Sequence, residues 1–132
     1  MLGAFVLALA IVTAAGRDAP AQVNAAGGDR LRGAWSGSWT SEDGRQHGAA
    51  DVLIVATPEP TELVGEFSFV EGSEARTIRR PGVLIREEGR FPLLGGEIAL
   101  RLASGNRVVG DFVDARDELP APRGRLELTR AR

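Results

Sequence analysis

The chain has no cysteine, no tyrosine and no lysine, and His47 is its one histidine. Without cysteine there are no disulfides, thiolate metal ligands or sulfur nucleophiles, and no cysteine to carry a lipid after a leader. A lone imidazole can act as a base but cannot build a histidine metal cage. Paired carboxylates, a phosphate loop and metal-ligand spacing are also missing from the pattern of residues. The sequence therefore predicts no catalytic residues, no metal and no cofactor, and a binding protein rather than an enzyme. Its basic residues are all arginine, which we read as codon composition. An excess of one charge sign is lacking too: 16 basic and 18 acidic residues are spread along 132 positions for a net charge of -2. No basic stripe points to nucleic acid.

Long apolar runs are scarce. The single one, Leu2 to Val12, is followed by Thr13-Ala14-Ala15 and is too short to span a bilayer, which needs roughly 20 apolar residues. Its length and the small residues after it predict a signal helix, although no Lys or Arg precedes it. Cleavage is expected after Ala19-Pro20-Ala21, with Val23-Asn24-Ala25 as the alternative. The expected layout is a signal peptide over 1–21, a flexible spacer over 22–30 and one β domain over 31–132, exported to the periplasm or secreted, with no stable membrane anchor after cleavage.

What the chain does have is alternation. Leu31, Gly33, Trp35, Gly37 and Trp39 share one phase of an extended strand, and Arg32, Ala34, Ser36, Ser38 and Thr40 the other. Ser41 to Gly48 reads as a turn, and Ala50 to Ala56 as a strand apolar on both faces, ended by Pro58 and Pro60. Leu63, Gly65, Phe67 and Phe69 then alternate with Val64, Glu66, Ser68 and Val70. Thr77 to Arg80 is less regular and is interrupted by Pro81-Gly82. A short strand over Val83 to Arg86 and a turn over Glu87 to Arg90 follow. Ile98, Leu100 and Leu102 share a face, and Val109-Gly110-Asp111-Phe112 restates Val64-Gly65-Glu66-Phe67. Asp114 to Arg123 is a polar, proline-bearing loop with a turn of helix expected at Asp114 to Glu118, and Leu126 and Leu128 close the pattern. This predicts an all-β fold, an antiparallel up-and-down barrel of seven or eight strands. Gly33, Gly37, Gly65 and Gly110 lie on the inward phase, where a missing side chain permits coiling or a large neighbour; the two Trp rings are the expected neighbours.

The opening Leu31-x-Gly33-x-Trp35, the Gly65-x-Phe67 and Gly110-x-Phe112 strands and the ending Gly124-x-Leu126-x-Leu128-x-Arg130 resemble the small exported bacterial proteins with a calycin-type, lipocalin-like barrel. The resemblance implies that Trp35 plugs the closed end of the barrel beneath an arginine of the last strand, Arg130 or Arg125, in a cation-π contact. Avidin-like barrels share the opening, but their biotin sites use polar and aromatic groups, tyrosine among them, that have no counterpart here. Small periplasmic inhibitors of bacterial metalloproteases are similar in layout and usually carry a disulfide, which this chain lacks.

Two uses of the aromatic residues stay open. Trp39, Phe67, Phe69 and Phe112 line an apolar ligand cavity at the open end, or they fill the interior of a narrow barrel. Gly33, Trp35, Gly65, Gly110 and Arg130 are expected to be structural. Arg79, Arg80, Glu87 and Glu88 read as solvated hairpin ends, and His47, near Asp43 and Asp51, as a loop histidine. The function expected is non-enzymatic binding of a small hydrophobic ligand near Trp39 and Phe69. The alternative is an interaction or inhibitor module that meets an envelope protein through its loops and the Gln22 to Arg30 tail.

Overall fold

The structure, a computed structural model, describes residues 29–131. The expected signal helix and all of the spacer before residue 29 lie outside the described residues. Residues 29–31 are helical, and among the described residues no helix is long and apolar enough to cross a membrane.

Eight strands follow: β1 (Gly33–Ser41), β2 (His47–Ala56), β3 (Glu62–Glu71), β4 (Glu74–Ile85), β5 (Glu88–Leu93), β6 (Gly96–Ser104), β7 (Arg107–Asp114) and β8 (Arg123–Arg130). Each pairs antiparallel with the next, and β8 returns to β1 with Trp35 opposite Arg130 and Trp39 opposite Leu126, so the barrel is closed. Closure removes the end edges of the sheet that would otherwise template aggregation and leaves residues 74–82 of β4 unpaired on the β5 side. The loops 57–61, 86–87 and 105–106 and both ends of the described segment, residues 29 and 131, mark one end, called lower here. The loops 42–46, 72–73, 94–95 and 115–122 mark the upper end.

Two-residue alternation sends one side of each strand into a single core. Trp35 and Trp39 come from β1, Leu63, Phe67 and Phe69 from β3, Ile98 and Leu100 from β6, and Leu126 and Leu128 from β8. Each such side chain stabilises the fold by about 1.5–3 kcal/mol relative to leaving it exposed. The ambiguous β2 resolves with Ala50, Val52 and Ile54 inside, because Val52 sits opposite both Trp35 and Phe67 in the closed register. Leu53 and Val55 are left on the outer wall.

Three local expectations are corrected. Thr77 to Ile85 is not broken at Pro81: β4 runs through it, because Pro81 has β3 on one side only and an edge position tolerates proline. The turn after β4 is Arg86-Glu87, with φ of 52° and 68° at the two residues, while Glu88 and Arg90 are already in β5. Positive φ at both positions is what a type I′ hairpin requires, and for non-glycine residues it costs roughly 1–2 kcal/mol each. The expected helical turn at Asp114 to Glu118 does not form. Asp114 ends β7, residues 115–122 are irregular, and Asp117 has φ 62°.

The glycines expected on the inward phase accommodate neighbours other than the Trp rings, and one of them, Gly37, is exposed. A Cβ at Gly65 would lie 2.6 Å from Phe67 and 2.9 Å from Phe91, and one at Gly82 2.4 Å from Phe91. Gly37 meets the β8 backbone at Glu127 and Leu128, Gly110 meets Ala99 and Leu100, and Gly33, at φ 120°, meets Arg130. The glycine that Trp39 needs is Gly48, its cross-strand partner, whose Cβ would lie 2.8 Å from the indole nitrogen. Closest neighbours in a sheet are set by pairing, and pairing is a property of the closed barrel.

Candidate functional site

The two ends of the barrel are shut in different ways. At the lower end Trp35, 1% exposed, donates its indole N–H to the Leu31 carbonyl at 2.7 Å. Arg130 lies over the ring with its guanidinium carbon 4.2 Å from the centroid. The same guanidinium donates to the Arg32 carbonyl at 2.9 Å and the Arg30 carbonyl at 2.8 Å, so the segment before β1 is tied across the plug. Arg125 takes no part in this contact, since it sits in the upper half of β8 opposite Thr40.

The upper end is closed by a loop. Residues 115–122 fold inward and place Leu119 and Ala121 in the same core cluster as Trp39, Phe69 and Phe112. Backbone bonds close its base, where the Asp114 amide donates to the Pro122 carbonyl at 2.8 Å and the Ala115 amide to the Gly95 carbonyl at 3.0 Å, and side chains hold the rest. Buried Asp114 accepts from the Leu119 amide at 2.6 Å and the Arg116 amide at 3.1 Å. Arg76 donates to the carbonyls of Asp117 and Leu119 at 2.9 and 3.3 Å, and Gln46 donates to the Pro120 carbonyl at 3.2 Å. Arg80 forms an ion pair with Glu118, whose other oxygen accepts from the Leu94 amide at 2.9 Å.

Glu118 therefore bridges β4 to the β5–β6 turn, across the weakest join in the barrel. Between β4 and β5 only Val83, Leu84 and Ile85 are paired, with Arg90, Gly89 and Glu88, whereas β3 and β4 pair from Glu62 to Glu71. Above Val83 the two strands part. Ile78 and Leu93, half-buried on the two sides of this seam, pack against the core.

The predicted ligand residues are all internal. Trp39 and Phe69 meet edge-to-face at 6.4 Å, and Phe69 and Phe112 at 5.7 Å, while Phe67 belongs to a separate pair with Phe91 at 5.1 Å. Such geometry adds about 0.5–1.5 kcal/mol per pair beyond burial. Trp39 is fully buried and donates to the Val70 carbonyl at 2.8 Å. Sequence reasoning missed Phe91, Leu119 and the side chains that hold the loop. One local signal was present: Leu119 and Ala121, separated by Pro120, are apolar residues inside an otherwise polar loop.

Among the described residues, Asp43 and Asp51 are bonded elsewhere than to His47. His47 opens β2 in an exposed position, Asp51 accepts from Ser36 at 2.6 Å, and Asp43 accepts from the Arg45 amide at 2.9 Å and from Ser41 at 2.7 Å. The Arg45 amide above all, then the Ser41 hydroxyl, hold the Asp43 carboxyl below its ordinary value. Among the described residues no group of three or more His, Asp or Glu side chains is placed to hold a metal ion.

No protein-family model matches the chain, and no curated protein matches it. Among solved structures it is similar to a redesigned β-barrel, with a TM-score of 0.61 and 16% identity over 80% of this chain and 96% of that one. At that identity the likeness speaks to the barrel fold alone.

Proposed function

We propose that this closed eight-stranded barrel is an exported, lipocalin-like, non-enzymatic binding module for a small apolar ligand. The ligand is admitted at the upper end when residues 115–122 lift from the β4–β5 seam and Leu119 leaves the core. The observation that carries this reading is the manner of closure: a core position at the barrel mouth is filled by a loop leucine, held by side-chain bonds over the least paired junction. Trp39, Phe69 and Phe112 supply the apolar surround in this reading, and Ile78 and Leu93 flank the path.

A ligand that binds only the open form has its apparent affinity reduced by the open fraction. Glu118→Gln keeps the shape of the bridge and removes its charge. If closure weakens by about 1.4 kcal/mol, the open fraction and the apparent affinity rise about tenfold. The test is a hexanol titration followed by Trp39 emission in a Trp35→Phe background. Tighter binding by Glu118→Gln supports the gate; unchanged binding, or none in either protein, overturns it.

A second reading, contact with an envelope protein, is favoured by the outer wall. Leu53 and Val83 are 43% and 40% exposed, and Val55, Val64 and Pro81 form one cross-strand row beside them. Contiguous exposed apolar surface of this kind marks interaction sites. Leu53→Ser with Val83→Ser would abolish such an interaction and leave hexanol binding unchanged.

A further inference from the structure

The other end of the barrel carries a feature that the gate does not use. A cleft of about 610 Å³ opens there, with Ile85 and Leu102 as its apolar surface and Arg30, Arg86, Arg90 and Arg101 around them. The cleft's two acids, Glu87 and Glu88, leave the arginines in excess, and Glu88 is already engaged by Arg90 at 2.7 Å. Arg90 is further held by Glu97 at 2.7 Å, so its charge is both fixed and offset. Arg101 is only loosely engaged, with Asp111 3.9 Å away and more than half of its own side chain exposed. Arg86 makes no ion pair among the described residues.

We propose that this cleft binds an amphiphile with an oxyanion head, a carboxylate or a phosphate, and a short apolar tail. Arg86 and Arg101 take the head, because a planar guanidinium matches both oxyanions and forms paired hydrogen bonds with them. Ile85, 48% exposed, and Leu102 take the tail. A cleft of this size suits a small molecule, and its mixture of a few charged donors with apolar surface fits an amphiphile better than a bare ion.

The backbone supplies an independent observation. Arg86 and Glu87 both hold positive φ in a two-residue hairpin that Asn-Gly forms with less strain. Strain of this kind persists only where the surrounding structure over-determines it and clusters at ligand sites, and here it falls at Arg86, on the rim of the cleft.

The test uses the full chain and four probes: octyl phosphate, octanoate, octanol and inorganic phosphate, followed by amide NMR shifts at residues 85–88 and 101–102. Octyl phosphate and octanoate are expected to shift these amides, the tighter of the two naming the head group. Octanol and inorganic phosphate should bind at least about tenfold more weakly, each lacking half of the recognition. Arg86→Gln with Arg101→Gln should weaken the better probe by about tenfold or more, and Arg86→Asn with Glu87→Gly should do the same while making the protein more resistant to urea. Equal binding of octanol, shifts confined to the upper end, or binding that survives both double variants would overturn the proposal. Shifts confined to the upper end would favour the gate while overturning this cleft, and the other outcomes leave the seam untouched, so the failures of the two sites are distinguishable.

Discussion

Leu119→Ala isolates the plug at the upper end. Leu119 is 1% exposed and belongs to the core cluster, although it comes from a loop. Truncating a buried leucine costs about 2–5 kcal/mol, the spread reflecting how far the site collapses into the cavity. A loop tied down by side chains can settle further than a strand can, so the expected loss is at the low end, about 2–3 kcal/mol. With a urea m-value of roughly 1–2 kcal/mol/M, the midpoint falls by between about 1 and 3 M at unchanged m. The vacated space is apolar and should stay dry, and a small apolar molecule such as benzene should fill it. At one hundred times its Kd such a ligand returns about 2.7 kcal/mol, enough to restore the midpoint. The assay is urea unfolding of both proteins with and without benzene, followed by tryptophan emission. A loss below about 0.5 kcal/mol, the range of ordinary surface substitutions, would show that Leu119 is not a core plug. A full loss that benzene fails to restore would show that the plug guards no ligand space, and would refute the gate.

Two further substitutions test the packing that shapes the rest of the barrel. Arg130→Gln removes the cation over Trp35 and weakens the tie to the Arg30 and Arg32 carbonyls. It should cost about 1–2 kcal/mol in urea unfolding and alter Trp35 emission, whereas Arg125→Gln should change neither. Gly82→Ala would drive a methyl to 2.4 Å from the Phe91 ring and 2.7 Å from the Arg90 carbonyl. Overpacking against backbone should cost about 1–3 kcal/mol, read as a lower urea midpoint, and a neutral result would mean that Phe91 does not lie over Gly82.

Much of the architecture was legible along the chain because a strand's inward face is a local property. Two-residue alternation placed Trp35, Trp39, Phe67, Phe69, Leu126 and Leu128 on inner faces, and the structure has all six in the core. Where both faces are apolar, as in Leu53 to Val55, alternation carries no sign, and only pairing with β1 and β3 chose the side. Pro81 misled for a related reason. Its rule is local, but whether a strand has a neighbour on a given side is not. The turn at Arg86-Glu87 lacked the residues that advertise a type I′ hairpin, so the chain gave no warning of it.

The sequence by itself determined an all-β domain, the inner phase of most strands and the absence of cysteine, lysine and tyrosine, because each depends on residue type and spacing alone. Tertiary structure decided the closure of β8 on β1, the pairing of Trp39 with Gly48 and the choice of Arg130 over Arg125 as the partner of Trp35. It also brought Leu119 to the seam that Glu118 bridges, and Arg86 to Arg101 across one cleft. These are contacts between residues far apart in the chain, and no local pattern encodes a distance that exists only once the barrel has closed.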